Sequence, residues 1–98
     1  MYRDPNLLKL AQGEKCLLKI HPQCLGDEGS TTVAAHSNKL IHGKGRGLKA
    51  NDCMSVWACY RCHTLFDQGD MTKRQRAKLF DEAWYRQVQE WHDIADNP

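Results

Sequence analysis

The stretch Cys59-Tyr60-Arg61-Cys62-His63 decides how this chain folds. Two thiolates separated by two residues can turn back onto one tetrahedral ion, so the pair is half of a zinc site. The other half lies upstream, where Cys16 and Cys24 sit on either side of His21-Pro22, with Gly26 just beyond. Cys53 is the remaining thiol. The spacing predicts one Zn²⁺ held by Cys16, Cys24, Cys59 and Cys62 at about 2.3 Å per sulfur. His63, next to the last ligand, and His36, between the two halves, are left free for chemistry.

The rest of the chain is consistent with a fold that needs a metal. At 98 residues it is long enough for one domain, residues 1–98, with a core too small to be more than marginally stable by itself. Its hydrophobic fraction is 41% and its mean hydropathy is −0.70, which rules out a large apolar interior. A structural zinc contributes on the order of 10 kcal/mol or more in small zinc peptides. No apolar run approaches the roughly 18 residues of a membrane span, and Met1-Tyr2-Arg3-Asp4-Pro5 carries no signal-peptide core. The expectation is a cytoplasmic protein with no membrane partner, in a compartment where thiols stay reduced. Five cysteines, an odd count, suit four ligands and one spare better than a disulfide framework.

Outward from the cysteines, Pro5-Asn6 followed by Leu7, Leu8, Leu10 and Ala11 predicts a short helix ended near Gly13. Cys16-Leu17-Leu18-Lys19-Ile20 reads as a short strand, and His21 to Gly26 as a turn in which Gly26 supplies an unusual backbone conformation. Thr31 to Ala35 reads as a strand delivering His36 at its end, and Met54, Val56 and Trp57 as a second strand. A helix is expected to start at or just after Cys59 and end at Gly69. A long one runs from about Thr72, its N-cap, to Ala95, with Phe80, Trp84, Val88, Trp91 and Ala95 as the apolar stripe. The fold class is α+β.

The order of these features is a cysteine pair, a hairpin ending in histidine, a loop, then C-x-x-C-H opening a helix. It resembles the HNH (ββα-metal) endonuclease superfamily in its cysteine-bearing treble-clef form, and within it the small phage and prophage YbcO-like nuclease family. The likeness covers Ala11 to about Asp67. It consists of Ala11-x-Gly13-x-x-Cys16, Cys24, Ala35-His36, Asp52 and Cys59-x-x-Cys62-His63-x-x-x-Asp67.

The resemblance implies a metal-dependent endonuclease that hydrolyses DNA phosphodiester bonds. His36 falls at the position of the general base, and an imidazole titrating near neutrality suits proton abstraction from water. His63 falls at the helix position of a ligand to a catalytic Mg²⁺ or Mn²⁺, and Asp67, four residues on, shares its helical face. Ala35 stands where many relatives carry a ligand; Asp52 is the replacement available. The middle asparagine is assigned to Asn51, with Asn38 and Asp52 as rivals.

The net charge of +2 permits DNA as a partner without arguing for it. Its distribution is more informative. The loop His42-Gly43-Lys44-Gly45-Arg46-Gly47-Leu48-Lys49 combines close backbone approach with charge, so Lys44, Arg46 and Lys49 are expected to contact phosphates. Lys73, Arg74, Arg76 and Lys78 form a second basic cluster where a long helix starts, a place disfavoured by the helix dipole unless a polyanion binds. Two rival readings remain. C-x-x-C-H is also a haem attachment motif, though that leaves Cys16 and Cys24 unexplained. A non-catalytic zinc module binding nucleic acid or protein would use the same four cysteines and give His36 and His63 no role.

Overall fold

Pro5 sets the backbone angle of a first helical position, and Asp4 before it supplies a cap. Its carboxylate accepts the Leu7 N–H at 3.1 Å, and α1 runs over Pro5–Lys9. In the computed structural model, which describes residues 3–37 and 51–96, the order continues with a 3₁₀ turn Gly26–Glu28, strand β1 Val33–His36 and strand β2 Ser55–Ala58. Helices α2 Tyr60–Gln68 and α3 Lys73–Asp96 complete it. The basic loop with Lys44, Arg46 and Lys49, together with Asn38 and His42, lies outside the described residues.

The strands pair antiparallel, Val33 opposite Ala58, Ala34 opposite Trp57, Ala35 opposite Val56 and His36 opposite Ser55. All four residues of β2 are buried, because α2 and α3 pack on it and the cysteine-bearing segment covers its far edge. At that edge the Trp57 carbonyl accepts the Leu17 and Leu18 N–H groups at 2.8 and 3.2 Å. The Trp57 N–H donates to Gln87 Oε1 of α3 at 2.7 Å. No open edge is left at that residue for another chain to pair with.

The segment Cys16–20 therefore lies along β2 but is not the strand expected from its apolar run. Leu17 and Leu18 both donate their N–H groups to the one Trp57 carbonyl, whereas successive N–H groups of a strand point to opposite sides. Arg86 of α3 holds the Leu17 carbonyl through Nε and Nη2 at 3.1 and 2.6 Å. Lys19 then takes a left-handed conformation, φ 53°, which turns the chain away.

The two helices behave as expected, with one change of face. Gly69 ends α2, donating its N–H to the Leu65 carbonyl at 2.8 Å; a Cβ there would collide with that oxygen, so only glycine fits. Thr72 caps α3 reciprocally with Gln75: Oγ1 accepts the Gln75 N–H at 3.1 Å and Gln75 Oε1 accepts the Thr72 N–H at 2.8 Å. The buried stripe of α3 is Phe80, Ala83 and Gln87, flanked by Trp84, Trp91 and Ile94. Ala95 of the expected stripe is exposed and Val88 lies outside the core cluster. A polar residue at the centre of an apolar face is what the hydropathy pattern could not anticipate. Phe80 packs on Phe66 of α2, ring centroids 6.1 Å apart, and burial of each ring contributes about 1.5–3 kcal/mol.

Candidate active site and metal centre

The four cysteines assigned to zinc converge. One sulfur from each of Cys16, Cys24, Cys59 and Cys62 lies within 4.8 Å of every other, and among the described residues this is the one such cluster of three or more metal-ligating groups. All five thiols are free of disulfides. Cys59 occupies the N-cap position of α2 and Cys62 its first turn, so the helix start points both sulfurs to one place. Upstream, the Cys16 N–H donates to the Gly26 carbonyl at 2.8 Å, and the Gly26 N–H reaches Cys24 Sγ at 3.4 Å. Gly26 makes this turn with φ 56°, in the left-handed region that glycine adopts freely. The His21 N–H donates to Cys62 Sγ at 3.4 Å, a backbone contribution from the turn that carries Cys24.

The electrostatics of this cluster call for a cation. Burial pushes the Cys62 and Cys24 thiols up. At Cys59 the same upward push is outweighed by the backbone N–H groups of Leu25 and Cys62, and the thiol falls to about 7. Four crowded thiols cannot all ionise unaided, whereas a divalent ion deprotonates a coordinating thiol outright. Soft donors, four in number, with Cys16, Cys59 and Cys62 buried and Cys24 partly so, fit zinc. Cys53 stands apart: its carbonyl accepts Trp84 Nε1–H at 3.0 Å, and its thiol is outside the cluster.

A second site opens on the other side of α2. A cleft of about 460 Å³ is walled by Leu8, Ala11 and Gln12 from α1 and its following turn, by Thr32 to Ala34, His36 and Ser37 along β1, and by His63 and Asp67 from α2. Three residues singled out by the sequence, His36, His63 and Asp67, thus line one cavity. His63 Nε2 is 3.0 Å from Asp67 Oδ2, the pairing expected of residues four apart on a helix. The Tyr60 N–H donates to Thr31 Oγ1 at 3.1 Å, tying the start of α2 to the approach of β1 and so setting the two walls against each other.

Asp52 and Asn51 occupy the turn that leads into β2. The Asp52 carboxylate is buried and takes three partners: His36 Nε2 at 2.9 Å, Arg3 Nη1 at 3.2 Å and the Asp4 N–H at 2.6 Å. Its oxygens are engaged by these three groups, and among the described residues it does not join His63 and Asp67 in one cluster of ligand atoms. The Asn51 carbonyl accepts the Met54 N–H at 2.9 Å and shapes the turn. Lys73 and Arg74 are exposed at the start of α3. Arg76 is taken out of the basic cluster: its guanidinium binds the carbonyls of Phe66, Gly69 and Met71, capping the end of α2. Arg3 is not visible as a site residue in the sequence, and nothing in its local pattern marks it.

The fold and the sites define a small α+β protein with a four-cysteine cluster that could hold a metal ion and a separate histidine-lined cleft on one helix. A family model described as Putative nuclease YbcO matches residues 5–95. The chain belongs to this family, which points to nuclease activity and a nucleic acid substrate. No curated protein and no solved structure matches the chain. Among the described residues no helix is long and apolar enough to cross a membrane.

Proposed function

We propose that the chain is a metal-dependent endonuclease of the HNH type that hydrolyses DNA phosphodiester bonds from a treble-clef zinc domain. The observation that carries this reading is that His36 and the His63–Asp67 pair line one cleft in a member of a nuclease family. Cys16, Cys24, Cys59 and Cys62 would hold a structural Zn²⁺, which anchors the start of α2 beneath β1 and β2. His63 and Asp67 supply a nitrogen and an oxygen donor on one helical face, a set suited to Mg²⁺ or Mn²⁺. When bound, such an ion supplies Lewis-acid stabilisation of the phosphorane charge and of the leaving oxygen.

The chain's own chemistry centres on His36. Its imidazole takes a proton from water, the resulting hydroxide attacks phosphorus, and the P–O bond to the leaving oxygen breaks. Asn51 shapes the turn that leads into β2, through its backbone bond to Met54. Lys44, Arg46 and Lys49 in the loop, and Lys73 and Arg74 at the head of α3, are proposed phosphate contacts that position the strand without reading sequence.

Nicking of supercoiled plasmid in Mg²⁺ or Mn²⁺ tests the reading. His36→Ala should lower the rate by about two to four orders of magnitude while metal binding persists. His63→Ala should abolish cleavage through lost metal affinity, with partial recovery in excess Mn²⁺. Full activity in both variants would leave a non-catalytic zinc module that binds nucleic acid.

A further inference from the structure

His36 and Asp52 lie on different strands' approaches, yet the sheet register brings them together. His36 is paired with Ser55 across the two strands, and the Ser55 hydroxyl donates to the Asp52 carbonyl at 2.7 Å in a buried site. This closes the turn so that the Asp52 side chain meets the imidazole at 2.9 Å. The same carboxylate is approached from a third direction by the segment ahead of α1, through the Arg3 guanidinium and the Asp4 N–H. Buried carboxylates keep their charge only when paired and hydrogen-bonded, and here both conditions are met.

An ionised carboxylate is an acceptor only. The hydrogen on the His36–Asp52 contact must therefore come from Nε2, which leaves Nδ1 with the lone pair of the neutral ring. We propose that Asp52 is the positioning residue of His36: its carboxylate, held by Arg3 and the Asp4 N–H, fixes the imidazole as the Nε2-protonated tautomer and presents Nδ1 as the basic nitrogen. The segment carrying Arg3 and Asp4 thereby belongs to the active site, since it holds Asp52 on one side while α1 walls the cleft on the other. Asp52 then acts through His36 and not as a ligand of the catalytic ion. The inference rests on the reading of His36 as the base.

The test has two arms on the zinc-loaded full chain. In the first, long-range ¹H–¹⁵N correlation spectra of imidazole-labelled protein, assigned with His36→Ala, report the tautomer of His36 at a pH where the ring is neutral. Wild type should show a protonated Nε2 and an unprotonated Nδ1. Asp52→Asn, whose amide can donate as well as accept, should shift His36 toward the other tautomer. In the second arm, plasmid cleavage by Asp52→Asn should show kcat lowered by about 10²–10⁴-fold with KM little changed, and Arg3→Lys should retain more activity than Arg3→Met. A protonated Nδ1 in the wild-type protein would overturn the proposal, and so would an undiminished kcat in folded Asp52→Asn. The expected tautomer and its shift in Asp52→Asn, with no cleavage by either protein, would support the Asp52–His36 pairing and remove the nuclease reading instead.

Discussion

Cys62 and His63 are neighbours on α2 and serve different sites. The Cys62 thiol is fully buried in the four-sulfur cluster, while the His63 ring faces the cleft, paired with Asp67 at 3.0 Å. Successive helical side chains diverge by about 100°, so one turn of helix can face the sulfur cluster and the cleft at once. The cluster fixes the helix start, and the helix start fixes where His63 and Asp67 line the cleft.

The two residues should accordingly separate on mutation. Cys62→Ser should lose zinc and, with it, the hairpin and α2, because a metal contribution on the order of 10 kcal/mol exceeds what a small domain can forgo. His63→Ala should keep a full zinc content and an unchanged far-ultraviolet circular dichroism spectrum. Metal analysis finding folded wild-type protein without zinc would remove the basis for both statements.

Asp52 should make stability sensitive to acid. Burial pushes its carboxyl up, but His36, the Asp4 N–H and Arg3 outweigh this and hold it below its ordinary 3.8. A carboxyl depressed by folding binds fewer protons in the folded state, so its contribution is present above the unfolded value and lost as pH falls through the folded one. Urea midpoints of wild type should therefore fall more steeply below about pH 4 than those of Asp52→Asn. The thiol cluster is common to both proteins, and the difference isolates the carboxylate. Parallel acid slopes would count against its charged, triply held state.

Gln87 is the polar centre of the α3 interface. Its Oε1 is the acceptor for the buried Trp57 N–H, and among the described residues its Nε2 has no partner. Gln87→Met fills the space but strands the amide proton, which should cost about 1–3 kcal/mol in chemical denaturation. A neutral result would mean that Trp57 finds another acceptor.

The basic residues at the head of α3 should divide by function. Lys73→Ala with Arg74→Ala should weaken DNA binding and reduce its salt slope by up to about two units, one per lost phosphate contact. Arg76→Met should leave the slope alone and lower stability, because three carbonyls at the end of α2 lose their donor. An unchanged slope in the Lys73/Arg74 double variant would mean that these side chains do not touch phosphate.

By itself the sequence determined what depends on covalent spacing. Two thiols three positions apart at a helix start, a histidine and an aspartate four apart, glycine at the close of α2 and threonine ahead of α3 act over one turn of backbone, and each lies where its spacing places it. Even the convergence of Cys16 and Cys24 with the later pair was readable, since four soft donors have few other ways to be buried. Only the tertiary structure decided the rest. Arg3 reaches Asp52 across 49 positions, Arg86 reaches Leu17 across 69, and Gln87 reaches Trp57 across 30. Those distances in sequence carry no period and no motif. The apolar run at Leu17 and Leu18 was legible as buried but not as non-strand, because whether a backbone N–H meets a paired strand or a single carbonyl of Trp57 depends on how the chain returns. Buried polar groups must find partners wherever the fold brings them, and the fold, not the local sequence, chooses which ones are within reach.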